Sequence, residues 1–262
     1  MRHINDAWID AGHLLGKKVG LIFTDRTGGY SSPPYDTLNL AYHTGDDPDK
    51  VRRNRRLVAG ELNIPAEHFV FLNQVHGVRV ERASRNDLFG LPDPPYEAFR
   101  GTDGVFTTQR FMVLCVLTAD CLPLALAEEK TGMVAMLHAG WRGTFNNIVQ
   151  EALEKMREEL GISPADVRAV MGPGIGPCCY RVDKGRARMF VEKYGGKSGV
   201  VQEKEGYHLD LYRANSLNLI EAGVKENHVA LAGGCSCCEA RYFSFRREKV
   251  TGRQGAFIYR YG

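Results

Sequence analysis

No apolar run in this 262-residue sequence approaches the about 18–20 residues that a membrane-spanning helix needs. The opening stretch, "MRHINDAWIDAGHLLGKKVG", has no continuous apolar core and no small-residue cleavage pattern, so no signal peptide is expected. Charge of one sign is scarce too: 34 basic residues face 31 acidic ones, for a net charge of +3. That balance argues against nucleic acid as a partner, which usually requires a concentrated basic face. Low-complexity tracts and repeats at a period of about 20–50 residues are missing. Eight histidines are present, none within two residues of another, so the His-x-His pairs of a multicopper cluster are lacking. Cysteine is present, but its seven copies are an odd number and several are adjacent: Cys178-Cys179 and Cys235, Cys237, Cys238. Such a set fits reduced thiols, and the expected location is the cytoplasm.

What is present suits one large folded unit. The length can bury a sizeable core, and no linker interrupts residues 1–262, so a single mixed α/β domain is expected. Asp47 followed by Pro48 reads as an N-cap with proline at the first helical position, opening a helix over 48–62. Val51, Val58 and Leu62 share its buried stripe, and Arg52, Arg53, Arg55 and Arg56 form a solvated face. "HFVFLNQVHGVRVERA" reads as two strands interrupted at Val75-His76-Gly77, and residues 88–104 as a proline-rich loop. "FMVLCVL" and "CLPLALA" read as a strand pair buried on both faces. The second returns through "EEKTG" into "MVAMLHAG". An amphipathic helix follows over 144–160. Ser163-Pro164 opens a short helix before the strand "VRAVMG", and "HVALAGGCS", "YFSFRRE" and "QGAFIYRYG" read as closing strands.

The hairpin raises the chemical question. If Leu126 faces Met133, antiparallel pairing sets Cys121 opposite His138, with Cβ atoms about 5 Å apart. A thiol and an imidazole there can be core filler, a nucleophile with its base, or two ligands of a metal. His76, breaking its strands at a glycine, is a candidate third ligand. Asp120 points by alternation to the opposite face and reads as a turn cap. "GPGIGPCC" reads as scaffold, its glycines allowing positive φ. A second metal site joining its cysteines to "CSCC" is the alternative.

Six ordered stretches carry a resemblance: "FTDRTGGYSSPPYDTLNL", "NQVHG", "TADCLPL", "HAGWRGT", "GPGIGPCCYRV" and "YFSFRREKVTGRQGAFI". Together they resemble the YfiH-like family, also called the polyphenol oxidase or laccase-domain family, over about residues 20–258. The resemblance implies a layered α/β/β/α sandwich with central sheets and outer helices. It implies His76, Cys121 and His138 as catalytic metal ligands, with zinc as the metal and copper as the other candidate. The implied activities are phosphorolysis of adenosine, inosine, guanosine and methylthioadenosine, and deamination of adenosine, so the partners are purine nucleosides and phosphate. The deaminase signature His-x-Glu…Pro-Cys-x-x-Cys is absent, so deamination needs another proton donor. Asp25 and Thr37 stand where the family usually has threonine and serine. Arg142, at a helix start, Arg55, in the family's Asn-Arg pair, Arg26 and Asn39 are the expected substrate contacts, with His43 beside them. A metal-free Cys121–His138 hydrolase, acting for example on a cell-wall precursor, is the first rival. A copper-dependent phenol oxidase and a binding module with structural zinc are the others. A monomer is the expected state.

Overall fold

The computed structural model describes residues 7–87, 99–197, 199–203 and 206–261. In chain order the elements are β1 (Ile9–Asp10), β2 (Val19–Phe23), α1 (Pro48–Leu62), β3 (Phe69–Phe71), β4 (Val80–Arg82), β5 (Gly104–Thr107) and β6 (Val113–Thr118). Then come β7 (Leu122–Glu128), β8 (Met133–Ala139), α2 (Trp141–Phe145), α3 (Ile148–Leu160), β9 (Arg168–Met171), β10 (Arg181–Val182) and α4 (Lys184–Tyr194). The last are β11 (Val200–Glu203), β12 (Gly206–Leu209), α5 (Leu211–Glu221), β13 (Val229–Leu231), α6 (Phe245–Glu248) and β14 (Gln254–Arg260).

Two mixed sheets form the centre, one ordered β1-β2-β14-β6-β3 and the other β13-β9-β7-β8-β5-β4. In the central strands β6, β7 and β8, alternating side chains enter two different cores, which is why these strands are apolar almost throughout. Leu21, Leu114, Val116 and Ile258 of the first sheet meet Ala125, Val134, Met136 and Val170 of the second. The outer face of the first sheet packs Ile22, Val113 and Phe257 against Val58 and Leu62 of α1. The outer face of the second packs Leu124, Leu126 and Leu137 against α3, α4 and α5 through Ile148, Leu153, Phe190 and Leu219. The result is the expected α/β/β/α layering, with a small sheet β10-β12-β11 at its side. No helix among the described residues is long and apolar enough to cross a membrane.

Several local expectations change. Strands β6 and β7 are not a pair: they lie in different sheets, and the chain crosses between layers at Ala119-Asp120-Cys121. Asp120 takes φ +96° at that corner. The β7–β8 hairpin pairs Glu128 with Met133 and Leu126 with Ala135, two residues away from the expected register. Its turn is shortened because the Glu128 carboxylate accepts the N–H groups of Lys130 and Thr131, and Gly132 supplies φ +73°. His138 therefore faces Pro123. A two-residue shift preserves face parity, so Cys121 still lies on the His138 side.

The helix expected over 144–160 is broken. Asn147 takes φ +65° and caps α3 through the N–H of Gln150, leaving α2 as a short turn. "YFSFRRE" is not a strand; Ser244 caps α6 by accepting the Arg247 N–H. Arg55 is buried rather than solvated. Gly172 and Gly174 do not use positive φ; a Cβ on either would strike the Phe23 ring at 2.2 Å or Leu122 at 2.4 Å. The proline-rich loop lies outside the described residues as far as residue 98.

Candidate active site

His76, Cys121 and His138 converge from three separate connections, their ligand atoms all within 4.8 Å of one another. Cys121 is the last residue of the inter-sheet crossing, and His138 sits near the end of β8. His76 lies in the loop between β3 and β4 at φ +63°. Gln74 docks that loop onto β6: its amide donates to the Leu117 carbonyl and accepts the Leu117 N–H, both at 2.8 Å. Gly140 keeps the centre clear, since a Cβ there would stand 2.8 Å from Cys121 Sγ and 3.2 Å from His76 Cδ2.

One buried carboxylate organises the group. Asp103, fully buried, accepts His138 Nδ1–H at 2.8 Å and the N–H groups of Val75, His76 and Gly77 at 3.1, 2.9 and 2.7 Å. It fixes the His138 ring so that Nε2 faces the cluster, and it holds the His76 loop in its strained turn. Burial opposes ionisation of Asp103, yet these donors hold its carboxyl below the ordinary value. Sequence reading missed Asp103. The only local signal was an Asp-Gly step ahead of a buried strand.

Burial also disfavours the Cys121 thiolate, but His138 and His76 outweigh it and bring the thiol down to about 6. The thiolate and Asp103 in turn overcome burial of His138 and raise it to about 9. Without metal the pair is thus thiolate and imidazolium between about pH 6 and 9. A metal entering must displace the imidazolium proton, so its affinity should rise with pH across that window and fall more steeply below about 6, where the thiol is protonated too. Metal titrations across this range check the expectation; a pH-independent affinity would contradict it.

The cluster opens into a cavity of about 400 Å³. Trp141, Tyr180 and Phe245 contribute aromatic surface, Arg186, Arg246 and Arg253 contribute guanidinium groups, and His43 and Gln74 reach the same space. A larger cavity of about 630 Å³, near His13 and Tyr259, contains none of the cluster residues and is remote from this chemistry.

The expected substrate residues other than His43 do not line the cavity. Arg26 pairs with Asp36 and Glu248. Arg55 donates to the Leu40 carbonyl at 2.9 Å and stacks between Tyr42 and Phe71. Asn39 braces its own loop, and its Oδ1 accepts the Arg253 N–H at 2.9 Å, so it positions a cavity arginine from behind. Arg142 is exposed beside Trp141, and the break after α2 leaves it only a short helix dipole. Asp120 lines the cavity but acts as a brace, accepting the hydroxyls of Ser236 and Ser244 and the Arg246 N–H. Arg246 and Arg253 lay within "YFSFRREKVTGRQ", where the strand reading hid the polar turn that presents them.

Comparison with known proteins agrees with this architecture. The family model described as multi-copper polyphenol oxidoreductase laccase matches residues 20–261. Purine nucleoside phosphorylase YlmD of Geobacillus stearothermophilus is 35% identical over 258 residues, spanning 96% of this chain and 93% of that protein. Purine nucleoside phosphorylase YfiH of Escherichia coli is 34% identical, spanning 93% and 94%. The crystal structure of YlmD from Geobacillus stearothermophilus superposes with a TM-score of 0.93 over 98% of this chain and 97% of that one, at 33% identity. The chain belongs to the YfiH-like, laccase-domain family, whose members here carry the name purine nucleoside phosphorylase.

Proposed function

We propose that the chain is a metal-dependent purine nucleoside phosphorylase. The observation that carries this is the joining of a His-Cys-His group, three guanidinium groups and three aromatic rings in one cavity. The donor set fits a metal: two imidazoles and a low-pKa thiol converge, Asp103 orients one imidazole, and no fourth His, Cys, Asp or Glu among the described residues joins the group. Three protein donors beside a cavity are the arrangement of a catalytic zinc rather than a structural one. Copper also suits these ligands.

When bound, the metal supplies Lewis acidity and lowers the pKa of water. The chain's own residues do the rest. Trp141, Tyr180 and Phe245 offer faces on which a purine can stack. Arg186, Arg246 and Arg253 bind phosphate and hold it against the ribose as positive charge develops at C1′. Adenosine, inosine, guanosine and methylthioadenosine are the proposed nucleosides, with adenosine deamination as a second reaction at the same cluster. None of the cysteines is in a disulfide, which suits the proposed cytoplasmic setting.

The test is adenosine turnover with and without phosphate, before and after chelation. Adenine formed only with phosphate and metal supports the proposal. Arg253→Gln is expected to raise the KM for phosphate about tenfold or more, the range for losing one charged hydrogen-bonding partner. The Cys121–His138 ion pair also suits a metal-free nucleophile, the second reading. Full activity after chelation would favour that reading and sink the first.

A further inference from the structure

In the loops that carry Ile175 and Tyr180 to the cavity and lead on to Phe245, four more thiols meet. Cys178 and Cys179 follow the turn after β9, and Cys235 and Cys238 stand at Cys-x-x-Cys spacing in the loop after β13. Their Sγ atoms all lie within 4.8 Å of one another. Cys238 Sγ is 3.4 Å from that of Cys178 and 3.3 Å from that of Cys179. These separations are too long for a disulfide, whose S–S bond is about 2.05 Å. They approach the about 3.8 Å between sulfurs in a tetrahedron with metal–sulfur bonds of about 2.3 Å.

We propose that Cys178, Cys179, Cys235 and Cys238 form a second metal site, separate from the His76–Cys121–His138 group, that binds one zinc ion as a tetrathiolate. The surroundings are built for it. The Gly176 N–H donates to Cys235 Sγ at 3.2 Å, and the N–H groups of Cys237 and Cys238 are directed at the same sulfur. A Cβ at Gly176 would come within 3.2 Å of Cys178 Sγ and 3.3 Å of Cys235 Cβ, so glycine leaves room for the cluster. Four thiolates around a divalent ion carry a net charge of −2. Arg247 donates to the carbonyls of Ser236 and Cys237, and Arg246 to those of Cys179 and Arg181, which brings two guanidinium groups beside that charge. Each thiol that ligates gives up its proton to solvent, so binding strengthens with pH.

The position gives the ion its consequence. The two loops are already joined by the Gly174–Cys235 bridge and by the Ser236 N–H to the Gly174 carbonyl at 2.9 Å. The first also carries Ile175 and Tyr180 into the cavity, and the second leads through Ser236, which holds Asp120, to Phe245 and Arg246. Zinc here staples together two segments of the substrate wall. The inference is independent of the proposed reaction.

The test measures zinc content and cobalt spectra on the full chain purified under reducing conditions. The Cys121→Ser variant removes the first site and is expected to keep about one zinc. Its cobalt form should show the strong sulfur-to-metal charge transfer and intense visible bands of a four-thiolate tetrahedron. Cys238→Ser should lose about one equivalent relative to the unmodified chain and lose those bands. If either variant fails to fold, zinc X-ray absorption on the unmodified chain decides, since two sites give a sulfur-dominated first shell and the first site alone gives mostly nitrogen. A Cys121→Ser protein free of zinc with all remaining thiols titratable would overturn the proposal. So would an intact mass showing a disulfide among these four residues.

Discussion

Cys121→Ser is expected to leave the His76–His138 pair without its metal and the protein without phosphorolysis. The thiol is the one anionic donor of the group, and the hydroxyl that replaces it does not ionise near neutral pH. Losing the several kcal/mol that a metal contributes to charge stabilisation corresponds to a fall in kcat of roughly 10³-fold or more. The fold should survive. Cys121 sits at the end of an inter-sheet crossing whose geometry is fixed by Asp120 and its Ser236, Ser244 and Arg246 donors, and serine is nearly isosteric. Metal analysis together with adenosine turnover in phosphate checks this. A metal content equal to that of the unmodified chain, rather than about one equivalent lower, with turnover lost would recast Cys121 as a nucleophile.

Asp103→Asn should damage both metal affinity and stability. The carboxylate accepts on both oxygens: His138 Nδ1 and the His76 N–H on one, the Val75 and Gly77 N–H groups on the other. An amide keeps one accepting oxygen and turns an NH₂ toward two part-buried donors. Each donor left unsatisfied costs about 1–3 kcal/mol, so a stability loss of about 3 kcal/mol is expected. Weakening the partner of a ligating histidine should lower metal affinity about 10–100-fold. The Asp103 pKa lies below its ordinary value, so its contribution is present above that value and lost as pH falls through the lowered one. The asparagine variant should therefore show a flatter stability curve on the acid side. Denaturant unfolding against pH, with metal titration at neutral pH, tests both parts. An unchanged metal affinity would show that His138 does not need its carboxylate.

The sequence was sufficient for several features that depend on neighbours along the chain, though the local caps at Asn147 and Ser244 were not among them. Asp47-Pro48 placed the start of α1, and its stripe of Val51, Val58 and Leu62 placed the buried face. Uniformly apolar strands announced two-sided burial, and Cys121 and His138 were recognisable as candidate ligands because strand parity survives a register shift of two; His76 joined them through its break at a glycine and the family motif. Pairing partners were another matter. Whether "FMVLCVL" bonds to "CLPLALA" or departs to another sheet depends on β14 and β3, which are distant in sequence, and no local pattern encodes them. Long-range contacts also decided which arginines reach the cavity. Arg55 had the better motif, but Tyr42 and Phe71 enclose it, while Arg246 and Arg253 come from segments with no periodic signal and Arg186 from the first turn of α4. Asp103 and the four-cysteine cluster follow the same rule. A buried carboxylate or thiol is defined by the donors and sulfurs folded around it, and those come together only when separate loops pack against one another.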